Sequence, residues 1–351
     1  MKGSELTIRA RRFRSLALAL CCIGATASGV AAQNLRLYVD DSGGNDIAVV
    51  DLATHKKIDD ITVGEQPHGL AVQADGRRLF TTVESDNTLR IIDTAKDQVV
   101  ATVVLTGRPN QCAVTPDGKY VVVPIRDANS ADIVDVAQRR VVKVLPVKLP
   151  HNAVDAGSDR YVFVSSMGAD EVNLVDLDKM EYAAHIPVGG VPRPYVVSRD
   201  GRTMYVALSY LHGFAIVSVP ERKMIRKVQM PAVHQHPKER PYEPSNTLTH
   251  GLALSSDGRE LWVTSLLDNC LYIYDVKSGK VAGSVPVGDG PNWVAFSPDG
   301  KYVVVSNAGS DDVSIIDAPG RREVARVKTG RIPKRVVIAN VPLGLSEKAA
   351  K

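Results

Sequence analysis

Pro291-Asn292-Trp293-Val294-Ala295-Phe296-Ser297-Pro298-Asp299-Gly300-Lys301-Tyr302-Val303-Val304-Val305-Ser306-Asn307 runs on through Ala308-Gly309-Ser310-Asp311-Asp312 to Val313-Ser314-Ile315-Ile316-Asp317. It reads as three short apolar strands divided by turns. Ser297-Pro298-Asp299-Gly300 is a hairpin turn in which Gly300 accepts a positive φ. Ala308-Gly309-Ser310-Asp311 turns the chain again, and Glu323–Val327 supplies a fourth, half-exposed strand.

The unit recurs. A Pro followed by a short apolar run occurs at Pro67, Pro109, Pro150, Pro192, Pro291 and Pro333, with Thr249 in the same role once. The residues that follow are His68, Asn110, His151, Arg193, His250, Asn292 and Lys334, in steps of 42, 41, 42, 57, 42 and 42. A second series agrees: apolar runs end at Asp51, Asp93, Asp135, Asp176, Ser218, Asp275 and Asp317. Two independent series count seven units and one insertion, Pro231–Thr249, in the long step. Four-stranded units near 42 residues are propeller blades. The expected fold is therefore all-β, a seven-bladed β-propeller. The chain enters on a second strand, Leu35–Val39, and the missing inner strand is supplied by Lys334–Ala339. The C-terminal strand is thus expected to close the ring by pairing into the first blade, which removes two sheet edges.

The blade text resembles the YVTN β-propeller repeat: Tyr302-Val303-Val304-Val305-Ser306-Asn307 followed by Val313-Ser314-Ile315-Ile316-Asp317, with further copies at Leu261-Trp262-Val263-Thr264-Ser265 and Thr88-Leu89-Arg90-Ile91-Ile92-Asp93. The resemblance covers nearly all of residues 33–343. It implies a fold shared by binding modules, surface proteins and enzyme subunits. In layout the chain is similar to the haem-carrying propeller of cytochrome-cd type nitrite reductase and to propellers of periplasmic quinoprotein systems.

Residues 1–32 read as a secretory signal. Arg9, Arg11, Arg12 and Arg14 make a basic region, Ser15–Val30 an apolar run, and Val30-Ala31-Ala32 a small-residue cleavage site before Gln33. Leu18-Ala19-Leu20-Cys21 loosely resembles a lipobox, which would anchor the protein through Cys21. Residues 33–343 form the propeller, and 344–351 a short tail. The expected location is periplasmic or secreted, with no transmembrane span after cleavage. The whole chain has a formal charge of +4, and residues 1–32 hold five basic residues against the single acid Glu5. The exported part is then neutral, so the basic balance is no sign of nucleic-acid binding. Cys112 and Cys270 fall on non-neighbouring blades, too far apart for a disulfide.

In the repeat frame the seven leaders ring one mouth of the central channel, and none is acidic. His212 and the insertion, with His234 and His236, lie on that face too. Imidazoles suit a transition metal or a haem axial position, with His68, His151, His250, His234 and His236 as candidate ligands. Arg193 and Lys334 suit a carboxylate or other anion, an anionic quinone included. A plain polar lining of a water-filled channel accounts for the same residues. No G-x-S-x-G, H-E-x-x-H or phosphate loop is present. Two functions stay open: an exported binding or scaffold protein that takes a protein partner or small anionic ligand at the channel mouth, or a metal-, haem- or quinone-dependent redox protein or subunit.

Overall fold

The structure, a computed structural model, describes residues 34–231 and 244–342. The signal segment, the stretch 344–351, His234 and His236 lie outside the described residues.

The described residues form seven antiparallel four-stranded sheets. The unit that opened the reading becomes Pro291–Phe296, Tyr302–Asn307, Asp312–Asp317 and Arg322–Lys328. Its turn is held by its own side chains: Asp299 accepts the Ser297 hydroxyl at 2.6 Å and the Lys301 amide at 3.1 Å, and Gly300 sits at φ 70°. The Asp that ends most third strands also has a job. Asp51 accepts the Ala53 and Thr54 amides at 2.8 Å, and Asp93, Asp135 and Asp275 cap their turns in the same way. These local bonds explain why the two sequence series keep the same spacing.

Ring closure is as expected. Pro333–Asn340 pairs antiparallel with Leu35–Asp41, in register from Leu35 opposite Asn340 to Asp41 opposite Pro333. The sheet order is Pro333–Asn340, Leu35–Asp41, Asp46–Asp51, Lys56–Thr62. Apolar packing lies between blades rather than at a central core. Leu37, Val39, Ala48 and Val50 of the first blade pack on Val304, Val313 and Ile315 of the last, with Val336 and Ile338 in the seam. Outer strands alternate, as in Arg322–Lys328, where only Val327 is buried. Cys112 and Cys270 are free and buried, and burial pushes both thiols up to about 12.

The inner strands carry the feature that positions the site. In six blades the register of the inner strand slips just at the leader, between Pro67 and Gly69, Pro150 and Ala153, Pro192 and Tyr195, Thr249 and Leu252, Pro291 and Val294, and opposite Val39/Asp41 in the closing strand. In the remaining blade the ladder is broken outright: only Ala113–Val114 pairs, with an isolated bridge at Pro109. There Gln111 bonds sideways instead, its Nε2 donating to the Leu70 carbonyl at 2.6 Å and its Oε1 accepting the Leu70 amide at 3.2 Å. A slipped register re-aims a side chain off the sheet, here toward the channel.

Candidate functional site

The channel mouth holds a cavity of about 670 Å³. Six of the seven leaders line it: His68, Asn110, His151, Arg193, His250 and Lys334. Asn292, the seventh, is fully buried and supports the lining instead. Its backbone carbonyl accepts His250 Nδ1–H at 3.0 Å, and its side-chain oxygen accepts Arg335 Nη1–H at 3.2 Å.

The imidazoles are neutral. Burial holds His68, His151 and His250 well below the usual 6.5, and neighbouring cations add to it: Arg335 and Lys334 at His68, Arg193 and Arg335 at His151, Arg335 at His250. Their partners define the tautomers. His151 donates Nδ1–H to Asn152 Oδ1, and His250 donates Nδ1–H to the Asn292 carbonyl. Both rings therefore keep Nε2 as the acceptor nitrogen. The two rings stand edge to face, centroids 6.3 Å apart. His68 differs: its Nδ1 lies 3.3 Å from Glu84, and its Nε2 accepts from Arg335 at 3.4 Å.

Arg335 has no counterpart in the sequence reading. It is 1% exposed, stacks on Trp293 at 4.3 Å, and reaches Asn292 and His68. Beneath it Asp40, also fully buried, accepts the Lys334 and Arg335 amides. Burial raises the Asp40 carboxyl well above its usual range, against the charge of Arg335. Arg193 is fixed by Ser209 Oγ at 2.9 Å and by Asn246 Oδ1 at 2.8 Å. Asn246 belongs to the insertion, and Pro244 of the same segment lines the cavity. Arg108, Arg126, Glu84 and Asp127 complete the rim, Glu84 pairing with Arg108. Among the described residues, five cationic side chains thus line the cavity against two carboxylates, with the imidazoles uncharged.

Not every histidine expected on this face reaches the cavity. His212 is spent on Ser265 at 2.9 Å and Asp268 at 3.5 Å. Among the described residues, the three-residue set with ligand atoms all within 4.8 Å is Asp41, Asp46 and Asp60; of the five histidines expected as metal ligands, His68, His151 and His250 line the cavity and His234 and His236 lie outside the described residues. Arg335 was hidden because it follows the leader by one residue, where the other blades carry Gly69, Gln111, Asn152, Pro194, Gly251 and Trp293. The one signal for it was the doubled cation Lys334-Arg335. Glu84 and Arg126 were reachable in principle, since each follows a second strand and enters a loop on the same face.

Seven four-stranded blades closed by the last strand, with a polar, electropositive mouth among the described residues, define a seven-bladed β-propeller. The chain belongs to the family described as "Lactonase, 7-bladed beta-propeller", which matches residues 146–332. It is similar to the Antigen Lp49 of Leptospira interrogans, 26% identical over 156 residues, which is 42% of this chain and 31% of the antigen. The match thus spans under a third of that relative's length. Among solved structures it is similar to the periplasmic gluconolactonase PpgL of Pseudomonas aeruginosa (TM-score 0.68, 22% identity, 88% of this chain and 99% of that one). It is also similar to the dihydro-heme d1 dehydrogenase NirN in complex with DHE (TM-score 0.63, 17% identity, 87% and 75%). At these identities the likeness is one of fold. Among the described residues no helix is long and apolar enough to cross a membrane.

Proposed function

We propose that this protein is exported and that its channel mouth binds a small carboxylate-bearing ligand. One observation carries the reading: Arg193, Lys334 and Arg335 converge with three neutral imidazoles in one cavity whose lining is net cationic. A guanidinium oriented by hydrogen bonds, as Arg193 is by Ser209 and Asn246, is set in direction before a ligand arrives, which lowers the ordering cost of binding. The His151 and His250 Nε2 atoms accept hydrogen bonds from ligand hydroxyls beside that carboxylate. A hydroxy acid meets both demands. So does the acid-rich rim of a tetrapyrrole, with one Nε2 directed at its metal. Likeness to NirN supports the latter only as fold.

A second reading has its own observation. Family membership and two proton-accepting Nε2 atoms beside Arg193 suit hydrolysis of a lactone: an imidazole takes the proton of the attacking water, and the guanidinium steadies the oxyanion. Purification from the native host separates the readings. A carboxylic acid extracted from colourless protein supports the first. A visible absorption band or bound transition metal selects the cofactor version. Hydrolysis of glucono-1,5-lactone in a pH-stat, lost in His151→Ala with His250→Ala, selects the second. Folded native protein with neither bound acid, cofactor nor lactonase activity, and with no affinity for citrate, would overturn the proposal. Export is checked by intact mass: the mature chain should begin at Gln33, a chain that keeps residues 1–32 would contradict export, and a lipid on Cys21 would contradict cleavage after Ala32.

A further inference from the structure

The first blade holds a second polar cluster, away from the channel cavity. Asp41 ends the strand Leu35–Asp41, Asp46 begins Asp46–Asp51, and Asp60 lies on Lys56–Thr62. One carboxylate oxygen from each falls within 4.8 Å of the others. Three acids alone would mean little. Asp41, however, is 0% exposed, and neither of its oxygens makes a hydrogen bond of good geometry. A buried, unpaired carboxylate is costly and calls for compensation. The nearby Gly330 amide and Thr329 hydroxyl offset its burial only in part, and burial pushes its carboxyl up to about 7. Among the described residues, Lys57, 2.7 Å from Asp60, is the cation paired with these acids.

The other blades show that the fold does not require an acid there. The places equivalent to Asp41 in the ladder hold Val83, Ile125, Ser166, Leu208, Ser265 and Asn307. Where these are polar they are uncharged and make hydrogen bonds: Ser166 donates to the Lys148 carbonyl at 2.9 Å, Ser265 to Asp268 at 3.0 Å, and Asn307 Nδ2 to Asp312 and Ser314, with its Oδ1 alone left without a partner.

We infer that Asp41, Asp46 and Asp60 bind a divalent cation of the calcium class. The donor set is all oxygen, which selects hard cations over zinc or copper. Ligands at about 2.4 Å from one calcium ion lie no more than about 4.8 Å apart, a limit these three oxygens meet. Water on the exposed Asp60 side completes the shell. Asp41 also stands opposite Pro333 in the closing ladder, and a Cβ on Gly330 would come within 2.6 Å of its Oδ2. The cation therefore sits at the seam where the ring closes, and its binding strengthens closure.

The test uses the full mature chain, stripped with EDTA and desalted. Calcium chloride at a hundredfold over Kd should raise the melting temperature by roughly 5 °C, with a saturable heat in calorimetry; magnesium should do less. The double variant Asp46→Asn, Asp60→Asn should fold and lose the response. Asp41→Asn should melt above metal-free wild type and also ignore calcium. No calcium heat and no shift in the stripped wild type would overturn the inference, as would a calcium shift that persists in the double variant. None of these readouts depends on the channel cavity.

Discussion

Stopping the chain after Ile332 removes the closing strand Pro333–Asn340 and its ladder to Leu35–Asp41. Val336, Ile338 and Val341, each under a tenth exposed, leave with it. At about 1.5–3 kcal/mol for each buried aliphatic side chain, their loss costs roughly 5–9 kcal/mol. Marginal stability is itself only about 5–15 kcal/mol. Two sheet edges open at once, one on each side of the seam. The truncated protein should therefore lack a cooperative melt by circular dichroism and should sediment as aggregates. A milder form of the same cut, Ile338→Ala, should cost about 2–5 kcal/mol and keep the fold. Adding a peptide of residues 333–342 should partly restore the truncated chain. A truncated protein that melts cooperatively at the wild-type temperature would refute the closure argument.

Acid should destabilise the protein from the channel outward. His68, His151 and His250 have folded-state values well below 6.5, so the unfolded chain binds more protons once pH falls through about 6.5. The contribution of these three should be flat above that pH and drop below it, opposed by the raised Asp40 and Asp41 carboxyls, whose folded forms take up protons; replacing the three histidines by Asn should remove the acid-side loss between pH 6.5 and 5 in urea titrations. Gly251 sits where a Cβ would come 2.8 Å from the Asn292 carbonyl oxygen. Gly251→Ala should therefore cost about 1–3 kcal/mol, read as a lower urea midpoint, and should move the carbonyl that orients His250.

How much of this was legible depends on whether the cause is local. Strand turns were, because Ser297 and Asp299 bond within their own hairpin and Asp51 caps the next turn. Closure was legible from strand order, since a chain that enters on Leu35 must borrow an inner strand. Convergence of the leaders followed from the blade frame. What the frame missed arises from contacts across blades. Arg335 reaches the mouth only because Trp293 of the neighbouring blade supports its guanidinium and Asp40 anchors its backbone. Asn292 looks like any other leader in sequence, yet Arg335 and His250 occupy it. His212 sits on the right face, but Ser265 and Asp268 draw it away from the cavity. Asp41 is unremarkable in sequence, because Asp is common before a turn. Only its burial and its missing partners set it apart.

The channel mouth is tested most directly by titrating citrate, a tricarboxylate probe, into wild type and into Arg193→Ala with Lys334→Ala by calorimetry at pH 7. Each lost charge-assisted contact is worth about 1.5–3 kcal/mol, or roughly tenfold or more in Kd. The account predicts saturable binding by wild type and at least tenfold weaker binding by the double variant, with a cooperative melt retained. Equal binding by both proteins, or none by either, would show that the cationic lining does not serve a carboxylate ligand.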